Sequence, residues 1–190
     1  MILSGIKKIF GSDFENKSLL EIGCGSGGVL HDFEKWGTFE SNILGIDLLF
    51  DRLMEAKQRL PNALIAESNG EYIPFQSNRF DIVLQFTALS SILDANIRQN
   101  VANEMLRVLK PDGLIIWYDF WLNPMNRQTH GITKKEIKHL FGNGCRYAFH
   151  KITLAPPIAR KLVPISRIAA EILESIRIFN THWLVFIRKE

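Results

Sequence analysis

Four glycines fall within six residues of the stretch LLEIGCGSGGVL, Leu19–Leu30. Gly23, Gly25 and Gly28 fit G-x-G-x-x-G, the spacing of a dinucleotide loop. Gly23, Gly25 and Gly27, behind Glu21, fit the alternating pattern E-x-G-x-G-x-G. In either register glycine allows positive φ and lets backbone N–H groups approach a ligand with no Cβ in the way. A helix starting behind the loop favours a negative group, such as a pyrophosphate or an amino-acid carboxylate. Asp47 stands 19 residues past Gly28, where a carboxylate can accept two hydrogen bonds from ribose hydroxyls. A nicotinamide dinucleotide and S-adenosylmethionine (SAM) both satisfy this much.

The elements that must hold these residues are legible from periodicity. Ser18–Ile22 reads as a strand running into the glycines, and Gly27–Trp36 as a helix with Val29, Leu30, Phe33 and Trp36 on one face. Asn42–Asp47 is a second buried strand, Leu49–Leu60 a helix stopped by Pro61, Ala63–Glu67 a third strand and Asp81–Phe86 a fourth. Ile97, Val101, Met105, Val108 and Leu109 mark a helix ending before Pro111; LKPDG turns, and Leu114–Tyr118 is a fifth strand. Strand–helix alternation with continuously apolar strands predicts an α/β fold, a doubly wound parallel sheet covered on both faces. Beyond it lie a helix over Lys134–Phe141 and strands over Arg146–Leu154 and Trp183–Arg188, within a terminal stretch Thr181–Glu190. The 190 residues are expected to form a single domain, with a helical insert at about 155–180 between the last two strands. In such a sheet the ligand sits outside the carboxyl ends of the strands, where the glycine loop falls.

Bulk properties exclude several classes. A net charge of +3 gives no case for a nucleic-acid partner. Cys24 and Cys145 are too few for a disulfide framework or a Cys-rich zinc site, and no His/Asp/Glu cluster has metal spacing. MILSGIKKIF reads as a short amphipathic helix, not a signal peptide, and there is no apolar run of membrane-spanning length. A cytoplasmic protein is expected. Cys24 reads as a small buried side chain.

Three further features separate the two cofactors. A carboxylate at Glu21 suits a ligand carrying an ammonium and a sulfonium and is unfavourable beside a pyrophosphate. Ser68–Phe75 (SNGEYIPF) leads into Arg79–Val83, and EMLRVLKPDG, Glu104–Gly113, runs into the fifth strand. EIGCGSG, GIDLL, NGEYIPF…FDIVLQF and EMLRVLKPDGLII resemble, in order and spacing over residues 18 to 119, the successive motifs of class I SAM-dependent methyltransferases. The resemblance implies the Rossmann-like methyltransferase fold, with seven mostly parallel strands and the last antiparallel. It also implies SAM as cofactor and S-adenosylhomocysteine as product. It places Glu21, Gly23, Gly25 and Gly27 on the methionine end, Asp47 on the ribose, Leu48 on the adenine ring and the Gly70 N–H at that ring. Asn69 stands where the family often has an aspartate receiving the adenine amino group; its amide oxygen can still accept. Gln85 is expected beside the reactive methyl.

Methyl transfer is an in-line displacement, so alignment and exclusion of water come first, and a base is required only for a hydroxyl or a protonated amine. Tyr118, Asp119 and His130 are the candidates at the mouth, with His150 further off. The fourth strand ends in QFTA, not the N/D-P-P-Y/F of nucleobase amine methylation, and no Pro-Cys pair offers a cytosine C5 nucleophile. A small-molecule, sugar or lipid-like acceptor is expected, methylated at oxygen. Trp117, Phe120 and Trp121 are candidates for an apolar acceptor pocket. The stripe Ile158, Leu162, Ile165, Ile168, Ile172 and Ile176 reads first as packing on the sheet; a substrate cover, or a membrane or partner surface with Arg160, Lys161 and Arg167, are its alternatives. Two other functions stay in view: a SAM-binding or partner-binding protein without catalysis, and an NAD(P)-dependent oxidoreductase.

Overall fold

The computed structural model describes residues 1–123, 126 and 128–190, Ser12 by its backbone alone. Seven strands form one sheet in the order β3-β2-β1-β4-β5-β7-β6. These are β1 (Leu19–Ile22), β2 (Ile43–Asp47), β3 (Leu64–Glu67), β4 (Phe80–Phe86), β5 (Leu109–Phe120), β6 (Cys145–Leu154) and β7 (Asn180–Lys189). β7 runs antiparallel to both of its neighbours, and the other pairs are parallel. The mostly parallel α/β sheet with an antiparallel last strand is thus present as expected.

Helices cover both faces, which is why the central strands are apolar on both sides. One face packs Leu20, Ile22, Val83, Ile115, Trp117 and Val185 against α4 (Ala95–Val108) and α5 (Lys134–Phe141). The other sets Leu19, Ile82, Leu84, Leu114, Ile116 and Leu184 against α1 (Ile2–Phe10), α2 (Gly28–Lys35) and α3 (Phe50–Arg59). Neighbouring strand residues go to opposite clusters, as the two-residue strand period requires. Two more helices, α6 (Pro156–Leu162) and α7 (Arg167–Ile176), lie between β6 and β7.

Two boundaries differ from expectation. β5 begins at Leu109, not Leu114, because Phe80 pairs with Leu109 before a register irregularity restores Ile82 opposite Leu114. The LKPDG stretch is therefore a bulge on the strand, the setting in which a residue without an N–H is tolerated. It lies at the amino end of the sheet, away from the glycine loop. The second concerns the isoleucine stripe. Ile165, Ile168, Ile172 and Ile176 are exposed, whereas Ala170 is the buried residue of α7. Packing of these four isoleucines on the sheet is corrected: Ala170 makes the inward contact and they face outward, while Ile158 and Leu162 of the stripe are half-buried.

Candidate cofactor and acceptor site

Chain order reverses between β1 and β4, which are neighbours, so the crevice opens at their carboxyl ends. The loop leaving β1 is anchored at once: the N–H groups of Gly23 and Cys24 both donate to Ile46 O, at 2.8 and 3.0 Å. Gly23, Gly25 and Gly27 have φ of 72°, 51° and 73°, whereas Gly28 opens α2 in ordinary helical geometry. The conformational demand therefore follows the alternating register, not the dinucleotide one. A Cβ on Gly23 would lie 2.6 Å from Ala88 Cβ, and one on Gly27 3.1 Å from Ala56 Cβ and 3.3 Å from its Cα. Gly28 would meet only the end of Arg59, at 3.5 Å. Close helix packing thus belongs to Gly27.

Glu21 is 2% exposed, and its Oε2 has no hydrogen-bond partner among the described residues. Burial, reinforced by the charge of Asp47, pushes its carboxyl well above the usual range. Asp47 ends β2 with both oxygens engaged, Oδ2 by Gly25 N–H at 2.8 Å and Oδ1 by Leu49 N–H at 2.9 Å. Each oxygen keeps a second lone pair. Leu48 beside it is 64% exposed. Asn69 braces its own turn, Oδ1 accepting from Glu71 N–H at 3.0 Å. Gly70 packs tightly at the end of β1, where a Cβ would lie 3.1 Å from Ile22 Cγ2. Cys24 is buried, and burial raises its thiol above the usual range, as for an inert side chain.

Gln85, expected beside the reactive methyl, is fully buried at the carboxyl end of β4. Its Nε2 donates to Asp119 Oδ2 at 3.0 Å, and its Oε1 accepts from Ala88 N–H at 2.9 Å and Leu89 N–H at 3.3 Å. Asp119 is also fully buried and accepts from Ser90 N–H at 2.9 Å; burial leaves its carboxyl raised despite these bonds. The pair latches the 87–91 turn against the glycine loop, where Ala88 meets Gly23. Gln85 and Asp119 supply the acceptors that the turn's N–H groups need.

Of the remaining base candidates, His150 lies on β6 with its ring against Phe186, in a groove beside α1. Tyr118 shares a 2.8 Å hydrogen bond with Thr153. His130 donates its backbone N–H to Ser90 O at 2.7 Å, which sets it beside the 87–91 turn. Its Nε2 lies 2.7 Å from Glu136 Oε1. Glu136 is held in turn by Thr133 in a capping box at the start of α5. Burial works to raise Glu136, and hydrogen bonds from His130 and Thr133 outweigh it, keeping the carboxyl below its usual range. Sequence reasoning did not find this His130–Glu136 pair, although T-x-x-E preceding an apolar run signals the cap.

An aromatic wall stands where the carboxyl ends of β4 and β5 meet the amino end of β7. Tyr118 stacks on His182 at 4.7 Å, Phe120 lies 4.0 Å from the same ring and Phe86 packs 5.4 Å from Tyr118. Burial lowers His182 to about 4, so the wall is uncharged at neutral pH. Trp121 lies against Trp183 near this wall, while Trp117 is fully buried against Phe141 in the core.

The model of the methyltransferase domain family matches residues 20–117, just over half of the chain. The chain belongs to that family. It carries a methyltransferase domain with the class I fold of SAM-dependent methyltransferases. A methyltransferase for phthiotriol and phenolphthiotriol dimycocerosates from Mycobacterium tuberculosis is 32% identical over 121 residues, 60% of this chain and 41% of that protein. A ubiquinone/menaquinone biosynthesis C-methyltransferase from Campylobacter jejuni is 28% identical over 106 residues, 54% of this chain and 44% of the other. The matches thus span less than half of these relatives. Among solved structures, YcgJ from Bacillus subtilis aligns at a TM-score of 0.68 with 18% identity, covering 99% of this chain and 98% of the other. A TehB-like SAM-dependent methyltransferase from Corynebacterium glutamicum aligns at 0.64 with 16% identity, covering 92% and 80%. These two likenesses concern the fold.

The methyltransferase's own residues fit the cofactor. The orphaned Glu21 Oε2 offers a buried acceptor toward a cationic ligand, and a pyrophosphate there would meet repulsion. Among the described residues no group of three or more His, Cys, Asp or Glu side chains is placed to hold a metal ion, and no helix is long and apolar enough to cross a membrane.

Proposed function

We propose that this methyltransferase acts on a largely apolar, lipid-like small molecule, at an acceptor oxygen. The observation that carries the reading is the uncharged wall of Phe86, Tyr118, Phe120 and His182 at the carboxyl end of the sheet. The named activities of the relatives, on quinones and on dimycocerosate lipids, support it.

When bound, the cofactor supplies an electrophilic methyl on a sulfonium whose departure leaves a neutral thioether. Glu21 and the backbone of Gly23, Gly25 and Gly27 would hold its methionine end. Asp47 would accept from the ribose hydroxyls through its remaining lone pairs, and exposed Leu48 would pack on the adenine. Gly70 N–H and the free lone pair of Asn69 Oδ1 would bind the adenine. Gln85 acts through the 87–91 turn as a positioning residue. His130 is the general base: Glu136 on Nε2 fixes the proton there and leaves the Nδ1 lone pair for the acceptor hydroxyl.

The test is transfer of labelled methyl from SAM into a total lipid extract, followed by phase partition. Label should move to the organic phase; label confined to the aqueous phase or to protein overturns the acceptor class. Replacing His130 with Ala should lower turnover about 10²- to 10⁴-fold, the range for a lost base, with S-adenosylhomocysteine affinity unchanged. Asp47→Ala should abolish that affinity. Carbon is the second reading of the acceptor atom, favoured by the C-methyltransferase activity of the Campylobacter relative. Carbon NMR of the product separates an O-methyl from a C-methyl resonance.

A further inference from the structure

Segment 155–180 turns a bulky apolar surface outward. Ile165 is 81%, Ile168 71%, Ile172 58% and Ile176 52% exposed. Ile168, Ile172 and Ile176 recur every four residues, so they form one ridge along α7. Beside the ridge, α6 and α7 enclose an apolar depression lined by Pro157, Ile158, Lys161, Leu162, Ile165 and Leu173, in which Lys161 is the only charged residue. Monomeric proteins seldom leave such a contiguous patch uncovered, and one rimmed by polar groups marks an interaction surface.

Charge identifies the occupant. Arg160, Lys161, Arg167 and Arg177 are all exposed on this segment. Its two carboxylates are Glu171 and Glu174, and Glu174 is spent on the protein itself, accepting from Thr153 N–H at 3.0 Å. An apolar ridge among cations complements a surface with an apolar interior and anionic headgroups. Lys161 can lay its methylenes across the depression and send its ammonium to a phosphate. A second copy would set the same four cations against themselves, which disfavours a symmetric dimer through this face.

We propose that α6 and α7 dock this methyltransferase on an anionic lipid surface. The two helices join the carboxyl end of β6 to the amino end of β7, the end of the sheet that carries the glycine loop. Docking therefore brings the mouth of the site toward the bilayer. The surface stands apart from the acceptor assigned above, because it is read without turnover.

The experiment is co-sedimentation of the full chain with vesicles of phosphatidylcholine alone or with about one-third phosphatidylglycerol. The anionic vesicles should bind about tenfold more tightly, and salt should weaken the binding. Two double variants, Ile168→Ser with Ile172→Ser and Arg160→Glu with Lys161→Glu, should each fall to the phosphatidylcholine level. Their circular dichroism should be unchanged, since every substituted side chain is exposed. No sedimentation with either vesicle, or equal sedimentation with both, overturns the proposal. So does a concentration-dependent dimer in light scattering that the serine variant abolishes, which would assign the face to a second copy.

Discussion

Gly27 and Gly28 are adjacent, and the backbone asks opposite things of them. Gly27 has φ of 73° and faces the Ala56 backbone, so Gly27→Ala should cost about 1–2 kcal/mol from the left-handed conformation alone. Gly28→Ala should be neutral or stabilising by up to about 1 kcal/mol, since a helical residue there loses less chain entropy. Urea unfolding of the two variants checks this; a larger loss for Gly28 would return the loop to the dinucleotide register. Glu21 carries the second prediction at this scale. Its raised carboxyl is protonated in the free protein over a range where an exposed glutamate is charged, and a bound ammonium favours the charged form. Binding should therefore release a proton, and affinity for S-adenosylhomocysteine should rise with pH from the ordinary carboxylate range through the raised value. Calorimetry in buffers of different ionisation enthalpy measures that proton. Glu21→Gln should release none; release equal to that of the unaltered chain would assign the proton elsewhere.

Between elements, the two most telling motifs prove to hold each other. Arg107 on α4 donates to Ile73 O at 2.9 Å and Phe75 O at 2.8 Å, while Glu104 accepts from Ile73 N–H at 2.8 Å and pairs with Arg107 at 2.6 Å. EMLRVL thus clamps NGEYIPF, and the clamp sets the Asn69–Gly70 turn at the crevice. The motifs act at a distance from the cofactor, by fixing a loop that has little regular structure of its own. Arg107→Lys keeps the charge but loses the fork that reaches two carbonyls at once. It should cost about 1–2 kcal/mol of stability and weaken S-adenosylhomocysteine binding about tenfold, as measured by urea unfolding and calorimetry. Unchanged affinity at reduced stability would mean that the clamp does not position the turn.

At the scale of the molecule, the carboxyl end of the sheet collects the glycine loop, the latched turn, the aromatic wall and the α6–α7 face. His182 reports on the integrity of that end. In the unfolded chain a histidine titrates near about 6.5, and burial holds His182 at about 4 in the fold. Between these values the unfolded state binds the extra proton, so His182's contribution is fully present above pH ~6.5 and lost as pH falls toward 4. Glu21 and Asp119, raised by burial, act in the opposite sense. The measurement is therefore a difference: unfolding free energy against pH for the unaltered chain and for His182→Phe. The unaltered chain should lose more on acidification between pH 6.5 and 4; parallel curves would show that His182 is not buried in its neutral form.

Periodicity and motif spacing determined the strand–helix order, the placement of Glu21 and the three glycines at a strand end, and the family, because these depend on neighbours close in the chain. Five of the seven strands were legible to within one residue at each end, and β7 to within three. The early start of β5 was not, since its pairing with Phe80 comes from a strand many residues away. Only the tertiary structure decided the roles of polar side chains. Gln85 and Asp119 became a latch because the 87–91 turn brought buried N–H groups to them. His130 and Glu136 became a pair because a helix cap and the Ser90 carbonyl brought them together. The direction of the isoleucine ridge was likewise invisible in the sequence: the amphipathic period shows that a helix has two faces, and the packing of Ala170 decides which of them turns inward.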